Sequence, residues 1–170
     1  TKLQVLLPGE TAVPGSVTGK FGTPTAQTAG VALTVTINAV DDNWNTNPSY
    51  NPSVRVITSD LFDSPSESVN SLSTGSRAFN LTPITASTQT VYVEPVAGPY
   101  SANTSSVYTV NANTASKLQV LLPGETAVPG SATGKTGTTI IQTAGEQFTI
   151  TVNGTDAYWN LTNNDSVLNL

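Results

Sequence analysis

The chain has 170 residues, a formal net charge of −5 and no Cys, Met or His. The absence of Cys excludes disulfide staples, and the absence of His excludes a Ser–His or Cys–His nucleophile pair and an imidazole metal site. With only 6 Lys and Arg and no apolar run long enough to cross a bilayer, neither nucleic acid binding nor a transmembrane segment is expected.

Strands are predicted wherever apolar and polar residues alternate with a period of two. The first, strand A at residues 2–8, ends at a Pro-Gly turn. Strand B follows at residues 31–40. Its predicted inward-facing residues are Val31, Leu33, Val35, Ile37 and Ala39. Its predicted outward-facing residues are Thr34, Thr36 and Asn38.

Between strands A and B lie about twenty residues, and a structureless loop of that length counts against the assignment. The stretch GTPTAQT, residues 22–28, is therefore predicted to be a second segment, A′, which crosses to the other sheet. Sandwich edge strands often change sheets at such kinks, and Pro-Gly bends at residues 8–9 and 14–15 provide them.

Further strands follow at intervals marked by clusters of Gly, Pro, Asn and Ser. They are strands C at 53–58, D at 70–73, E at 76–83, F at 88–95 and G at 105–112. No stretch has the 3.6-residue period of an amphipathic helix. The pattern of about seven strands predicts an all-β chain with an immunoglobulin-like sandwich architecture.

The chain contains an internal repeat. Residues 2–16 and 117–131 both read KLQVLLPGETAVPGS, an offset of 115, and the match continues without a gap through Asn45 and Asn160. A catalytic site needs one unique arrangement of residues, whereas a structure built from stacked units repeats its sequence.

The repeat divides the chain into a complete sandwich repeat at residues 1–115 and the N-terminal part of a second repeat at 116–170. The second part contains strands A, A′, B and the start of C, which is too little to close a sandwich. Its apolar face should therefore be exposed unless a continuing chain or another chain completes the sheet by strand addition. The residues of that face are Leu118, Val120, Phe148, Ile150 and Val152.

The stretches TAG…LTVTINAVDDNWN, VRVITSD, RAFNLT, TQTVYVE and YTVNA resemble tandem bacterial Ig-like repeats of the Big and invasin-like kind. The resemblance covers the whole first repeat and the partial second one. It implies tandem immunoglobulin-like β-sandwich repeats in an extracellular, bacterial cell-surface protein, forming a stalk, fibre or adhesin. The implied partners are neighbouring repeats of the same chain, identical chains in a fibre, or a glycan or host surface.

Oxygen-bearing side chains concentrate directly after strand B. Asp41, Asp42 and Asn43 in the first repeat, with Asp156 at the equivalent place in the second, are candidate calcium ligands, because calcium takes six to eight oxygens. The alternative is ordinary turn chemistry, in which Asp and Asn side chains bond to nearby backbone.

Trp44 and Trp159 occupy equivalent positions after strand B. Each could cover the end of its own core, pack on a neighbouring domain or stack on a sugar ring. The sequence predicts an interdomain joint in which the repeated segment of the first repeat, including Glu10 and Pro14, faces DAYWN of the second. Trp159 is then the anchor and Asp156 lies near the linker amides.

Enzyme activity is not expected, since the acidic residues fall mostly in turns and no glycine-rich phosphate cradle follows a strand. Two functions remain. The chain could be a structural spacer in a stalk or fibre, or a carbohydrate- or protein-binding adhesion module that uses its loops or exposed edge strands. The near-identity of the repeated segments favours the spacer, because recognition loops gain by diversifying.

Overall fold

The computed structural model describes residues 1–63, 65 and 67–162, and these residues form strands and connections only. This part of the chain contains no helix long and apolar enough to cross a membrane. The first segment (residues 1–115) contains β1 (Lys2–Leu6), β2 (Glu10–Ala12), β3 (Lys20–Gly22), β4 (Gln27–Thr28), β5 (Leu33–Val40), β6 (Ser53–Thr58), β7 (Glu67–Ser71), β8 (Ser76–Leu81), β9 (Thr88–Gln89), β10 (Val91–Pro95), β11 (Asn103–Thr104) and β12 (Tyr108–Asn111). The second segment, from residue 116, contains β13 (Lys117–Leu121), β14 (Glu125–Ala127), β15 (Lys135–Gly137) and β16 (Thr151–Thr155). The predicted start of a further strand C lies outside the described residues.

Two antiparallel sheets of the first segment share one hydrophobic core, an arrangement consistent with a β-sandwich. One sheet has the strand order β1-β5-β8 and the other β11-β10-β6-β7. The largest fully buried apolar side chains of this core are Leu3, Ile37, Leu81, Val5, Val35, Val54, Val56, Val91 and Val93.

Strand β5 follows the predicted alternation from Leu33 onward. Leu33, Val35 and Ile37 are at most 3% exposed, which confirms their predicted inward direction. Val31 was also predicted to face inward, and this was wrong, because it is 51% exposed. It precedes the strand, in a turn where its N–H donates to the Thr28 carbonyl, so the pleat does not extend to it.

The long connection between β1 and β5 has a structure of its own. Gln27–Thr28 pairs in parallel with β12, in a third sheet of order β4-β12-β9. The predicted segment A′ therefore does leave β5, but only residues 27–28 of the predicted 22–28 form a strand, and Gly22 belongs to β3. The residues before β4 form an unpredicted antiparallel hairpin of β2 and β3. The side-chain amide of Gln4 donates to the Gly19 carbonyl at the end of the turn that joins β2 to β3 (2.8 Å).

A chain of buried polar side chains lies beside the hairpin on the outer face of the β1-β5-β8 sheet. The Asn38 amide donates to Gln4 Oε1 (3.0 Å), and the Ser76 hydroxyl donates to Asn38 Oδ1 (2.6 Å). Asn38 was predicted to face outward, and it does point away from the core, yet it is only 6% exposed. These bonds satisfy buried groups that would each cost about 1–3 kcal/mol if left unpaired.

The strand predicted as D is found at Glu67–Ser71 and pairs antiparallel with β6, with Val54 opposite Asn70. It therefore extends the sheet of β6 and β10. The predicted strand F is interrupted at Thr90, whose N–H donates to the Ser59 hydroxyl (2.9 Å). These details depend on contacts between distant residues, which period-two alternation does not encode.

The second segment repeats part of the start of the first: among its described residues no strand forms at 142–143, the counterpart of β4 and of the predicted A′, and β16 begins only at Thr151. Strand β13 pairs with β16, and β14 with β15. Gln119 donates to the Gly134 carbonyl (2.7 Å) and accepts from Asn153 (2.9 Å), as Gln4 does in the first segment. Of the predicted apolar face, Leu118, Val120, Phe148 and Ile150 are 43–56% exposed, whereas Val152 is half-buried.

Truncating Ile37 to Ala should destabilise the first segment by about 2–5 kcal/mol, because a fully buried side chain leaves a cavity. The measurement is urea unfolding followed by tryptophan fluorescence. Ile141, which is 96% exposed, gives the matched control, and Ile141→Ala should change the free energy of unfolding by no more than about 0.5 kcal/mol. Equal effects of both substitutions would contradict the placement of the core.

Candidate functional site at the joint between the segments

A hydrogen-bonded contact, here called the joint, connects the two segments. The residues of the first segment in the joint are Ala29, Gly30, Phe62, Ile84, Thr85, Ala86 and Asn113. The residues of the second segment in the joint are Gly130, Asp156, Tyr158 and Asn160.

The carboxylate of Asp156 ties the linker to the second segment. Its Oδ1 accepts from the backbone N–H groups of Tyr158 (2.8 Å) and Asn160 (3.0 Å). Its Oδ2 accepts from the Asn160 side-chain amide (2.9 Å) and from the linker N–H of Asn113 (2.9 Å). Asp156 is fully buried, so these four bonds replace the water that a carboxylate would otherwise bind.

Asn160 makes the direct bonds across the joint. Its Oδ1 accepts from the N–H of Ala86 and its Nδ2 donates to the carbonyl of Ile84, both at 2.8 Å. The side chain thus pairs with the backbone of residues 84–86 as a neighbouring strand would. Each neutral hydrogen bond of this kind contributes about 0.5–1.5 kcal/mol net, and Asn160 is completely buried.

Tyr158 provides the apolar part of the contact. Its ring lies against Gly30, where an added Cβ would overlap it, and it packs against the hydrophobic core of the first segment. Gly30 has a φ of +76°, a conformation that glycine adopts without steric cost. The close approach and the backbone conformation both require glycine here.

Gly130 brings the repeated PGS turn of the second segment into the joint. A Cβ at this position would overlap the Thr85 hydroxyl and meet the Phe62 ring. The Gly130 N–H donates to the carbonyl of Tyr158 (2.8 Å). The turn therefore holds the loop that carries Tyr158 while lying directly against the first segment.

Asp60 organises the first segment's side of the joint. Its Oδ2 accepts from the N–H groups of Ile84 and Thr85, both at 2.7 Å, and its Oδ1 accepts from the Thr85 hydroxyl (2.7 Å) and the Phe62 N–H (3.0 Å). Burial acts to raise the pKa of Asp60, but the hydrogen bonds from Thr85, Ile84 and Phe62 outweigh it and hold that pKa below its ordinary value. The ionised carboxylate fixes the turn that Asn160 contacts.

A second carboxyl lies close to Asp60. Burial, together with the negative charge of Asp60, raises the pKa of Asp63 above its ordinary value, although the Thr58 hydroxyl donates to it. Burial and the same two acids raise the pKa of Tyr108 to about 12. The Tyr108 hydroxyl donates to Gln89 Oε1 (3.1 Å), and the Gln89 amide donates to Asp60 (3.1 Å).

The two tryptophans each pack on their own segment. The ring of Trp44 covers Gly19, and the ring of Trp159 covers Gly134. A lysine lies over each ring, at 3.5 Å for Lys2 on Trp44 and 4.2 Å for Lys117 on Trp159. The aromatic residue that reaches the first segment is Tyr158, the immediate neighbour of the predicted anchor Trp159.

Glu10 and Pro14, the other predicted contact residues, lie in and beside the β2–β3 hairpin. Glu10 accepts from the Leu7 N–H (2.9 Å) and pairs with Lys20 (2.8 Å), so its carboxylate is engaged within the first segment. Pro14 is exposed in the hairpin turn. The hairpin loop that faces DAYWN is that of the second segment itself, and the first segment contributes residues 29–30 and 84–86.

The predicted calcium ligands lie in two equivalent loops. Asp41 Oδ1 accepts from the N–H groups of Asn43 (2.8 Å) and Asn45 (2.9 Å), and its Oδ2 accepts from the Asn45 side chain (2.9 Å). Asp42 is exposed. No group of three or more acidic side chains gathers to hold a metal ion in the described part of the chain. A cation at Asp41 or Asp156 would have to replace hydrogen bonds of the turn.

Sequence reasoning placed Asp156 at the linker but did not identify Tyr158, Asn160 or Asp60. One signal was present: in the matched loops DDNWN and DAYWN, the aromatic Tyr158 stands where the first repeat has Asn43. A large side chain that appears in only one of two near-identical loops indicates a contact specific to that loop.

No protein-family model matches this chain, and no curated protein is significantly similar to it in sequence.

Replacing Asp60 with Asn should destabilise the protein at pH 7 by about 1–3 kcal/mol, because an amide cannot accept all of these bonds. Since the folded pKa of Asp60 is lowered, its contribution is complete above the ordinary aspartate pKa of about 3.9 and is lost as the pH falls through the folded pKa. Between pH 6 and pH 2 the free energy of unfolding of Asp60→Asn should therefore fall less than that of the unsubstituted protein. The difference between the two losses is the contribution of the one aspartate that the variant lacks. Urea unfolding at both pH values measures this.

The exposed Asp42 provides the matched control, and Asp42→Asn should leave both values nearly unchanged. An acid sensitivity of Asp60→Asn equal to that of the unsubstituted protein would contradict the role of Asp60. The raised pKa of Asp63 works in the opposite direction, because protonation relieves the cost of burying its charge. Burial, the larger cause of that shift, is the same in both proteins, whereas the smaller contribution from the charge of Asp60 is absent in Asp60→Asn.

Removing the Tyr158 ring by Tyr158→Ala should loosen the joint while leaving the core of the first segment folded. Amide hydrogen exchange at Ala86 reports the joint, since its N–H bonds to Asn160, and the exchange at Val35 reports the core. Tyr92→Ala, at an exposed position on β10, is the control and should change neither. Unchanged exchange at Ala86 in Tyr158→Ala would show that the ring does not support the joint.

Proposed function

We propose that this chain is a structural repeat segment of an extracellular bacterial surface protein, and that it serves in a stalk or fibre. The observation that carries the proposal is the joint. Asp156 binds the linker backbone, and Asn160 binds the backbone of residues 84–86. Side chains of the second segment thus pair with main chain of the first, which is suited to holding successive units in a fixed relation.

The polar character of the joint supports a mechanical role. Its hydrogen bonds are directional and buried, and bending the joint would expose Asp156 and Asn160 or leave their partners unpaired at a cost of about 1–3 kcal/mol for each group. The linker between β12 and β13 is only residues 112–116, so it adds little freedom of its own.

The composition supports a protein built from strands, and the resemblance supports an extracellular location. Threonine accounts for 28 of the 170 residues, and threonine suits half-exposed strands. The Ig-like repeats that this sequence resembles belong to secreted or surface-anchored bacterial proteins. Neighbouring repeats of the same chain, or identical chains in a fibre, are the partners that this function requires.

A protein-binding adhesion module is the second candidate, and β16 favours it. In the first segment β5 pairs with β8 as well as β1, whereas β16 pairs with β13 alone among the described strands. Leu161 and Thr162 bond to the other edge of β16 at Thr155 and Gly154, and the edge over residues 151–153 could accept an extended segment of a partner. Carbohydrate stacking has less support, because each tryptophan ring carries a lysine on one face.

The spacer function predicts that the full chain in solution is elongated, with a narrow distribution of distances in small-angle scattering. Asn160→Ala should broaden that distribution, because both bonds to residues 84–86 are lost. The matched control is Asn80→Ala, at an exposed position on β8, which should leave the scattering unchanged.

A flexible chain whose scattering is the same with and without Asn160 would count against the spacer. Binding of the chain to glycans or to cell surfaces, weakened by substitutions along the exposed edge of β16, would favour the adhesion module instead.

A further inference from the structure

The first segment contains a copy of the surface that the second segment uses in the joint. This surface, here called the upper loop, consists of residues 41–45 together with Gly15. Its backbone has the same shape as its counterpart at 156–160, since Trp44 has a φ of 65° and Trp159 a φ of 66°. The Gly15 N–H donates to Asn43 (2.7 Å) as the Gly130 N–H donates to Tyr158 (2.8 Å).

The internal bonds of the two loops also match. Asp41 accepts from the N–H groups two and four residues later and from the Asn45 amide, at 2.8–2.9 Å. Asp156 makes the equivalent three bonds at 2.8–3.0 Å. The upper loop therefore already has the conformation in which its counterpart at 156–160 binds residues 84–86. It does not need a partner to order it.

The two loops differ in what covers them. Asn160 is fully buried against the first segment, whereas its counterpart Asn45 is exposed. A Cβ at Gly130 would overlap Thr85, whereas a Cβ at Gly15 would meet no atom within 4 Å among the described residues. The same preformed surface is thus covered in the second segment and uncovered in the first.

We propose that the upper loop is a docking surface for the lower end of another 1–115 unit joined ahead of it, a proposal that rests on the spacer function. The lower end consists of residues 84–86 with the linker N–H of Asn113. Asn45 would accept from the N–H of Ala86 and donate to the carbonyl of Ile84. Asp41 Oδ2 would accept the linker N–H, as Asp156 does here.

This partner follows from chemistry that the structure already contains. In the joint the lower end provides the N–H of Ala86, the carbonyl of Ile84 and the linker N–H of Asn113. Asn160 and Asp156 of the loop at residues 156–160 bond to all three. The upper loop has the groups that meet them. The upper loop also carries the carboxylates of Asp41 and Asp42, which disfavour a nucleic acid or another anionic ligand.

The two joints would differ in stiffness. Tyr158 covers Gly30 in the existing joint, but the upper loop has Asn43 at that position and would leave the glycine of its partner uncovered. A joint at the upper loop keeps the hydrogen bonds and loses the apolar contact. The residue at position 43 or 158 thereby sets how tightly successive units are held.

The test is the full chain preceded by one added copy of residues 1–115, so that Ala115 of the copy joins Thr1 as Ala115 joins Ser116 in the protein itself. Isotope labelling of the added copy alone lets amide exchange report its own Ala86. We expect that exchange at this Ala86 is slowed by about tenfold or more relative to an unbonded amide, the factor that about one hydrogen bond gives. Asn43→Tyr should slow it further.

The discriminating variant is Gly15→Asn in the extended chain. Asn tolerates the positive φ of 78° at this position better than most residues, and the open space around Gly15 spares the fold. Its side chain should block the approach of the added copy, so the protection of that copy's Ala86 should be lost. Gly145→Asn, at a glycine with a φ of 87° and no atom within 4 Å, is the matched control and should leave the protection intact.

The possible outcomes separate this inference from the spacer function. If the added copy's Ala86 exchanges freely while Ala86 of the original joint stays protected, the docking surface is refuted and the spacer stands. Free exchange at both would refute both. Protection that survives Gly15→Asn would mean that the added copy docks elsewhere, which also overturns the inference.

Discussion

The buried carboxylate of Asp156 is the interaction on which the joint depends. A negative charge removed from water requires hydrogen bonds at nearly every lone pair, and here three come from its own loop and one from the linker at Asn113. Satisfying the charge therefore fixes the loop and the linker together. The fixed loop then presents Tyr158 and Asn160 to the first segment at positions that a flexible loop would not hold.

The first segment uses the same device on its own side. Asp60 gathers the N–H groups of Phe62, Ile84 and Thr85 around one carboxylate, so the turn that Asn160 contacts is ordered before the segments meet. Two preorganised surfaces lose little conformational entropy when they come together, and more of their hydrogen-bond energy remains as net stabilisation. The hydrogen bonds between these surfaces therefore add to the apolar contact of Tyr158 with Gly30.

The repeated sequence is constrained by close contacts within each segment. Gly19 and Gly134 lie under tryptophan rings where a Cβ would overlap them, and Gln4 and Gln119 bond to the carbonyls of those same glycines. The β2–β3 hairpin and its counterpart thus tolerate few substitutions for reasons internal to each unit. The repeated PGS turn also holds the loop DAYWN, through the bond from Gly130 N–H to the Tyr158 carbonyl. The repeated sequence therefore supports the joint, although the ring that contacts the first segment is that of Tyr158.

Most strands of the first segment, the repeat offset of 115, the crossing before β5 and most of the exposed apolar side chains of the second segment could be predicted from the sequence, because each appears as alternation or identity along the chain. The β2–β3 hairpin and the break in strand F at Thr90 could not. Three features appear only when the chain is folded: the pairing of β7 with β6, the position of the β2–β3 hairpin beside buried Gln4, and the contact of Tyr158 with the first segment. Those choices depend on which distant surfaces meet and on which side of a turn a ring points. Alternation treats two adjacent aromatic residues alike, and only the comparison of DDNWN with DAYWN marks Tyr158 as specific to one loop. In the structure Trp159 has a positive φ and its ring lies on Gly134 of its own segment, whereas the Tyr158 ring lies on Gly30 of the other.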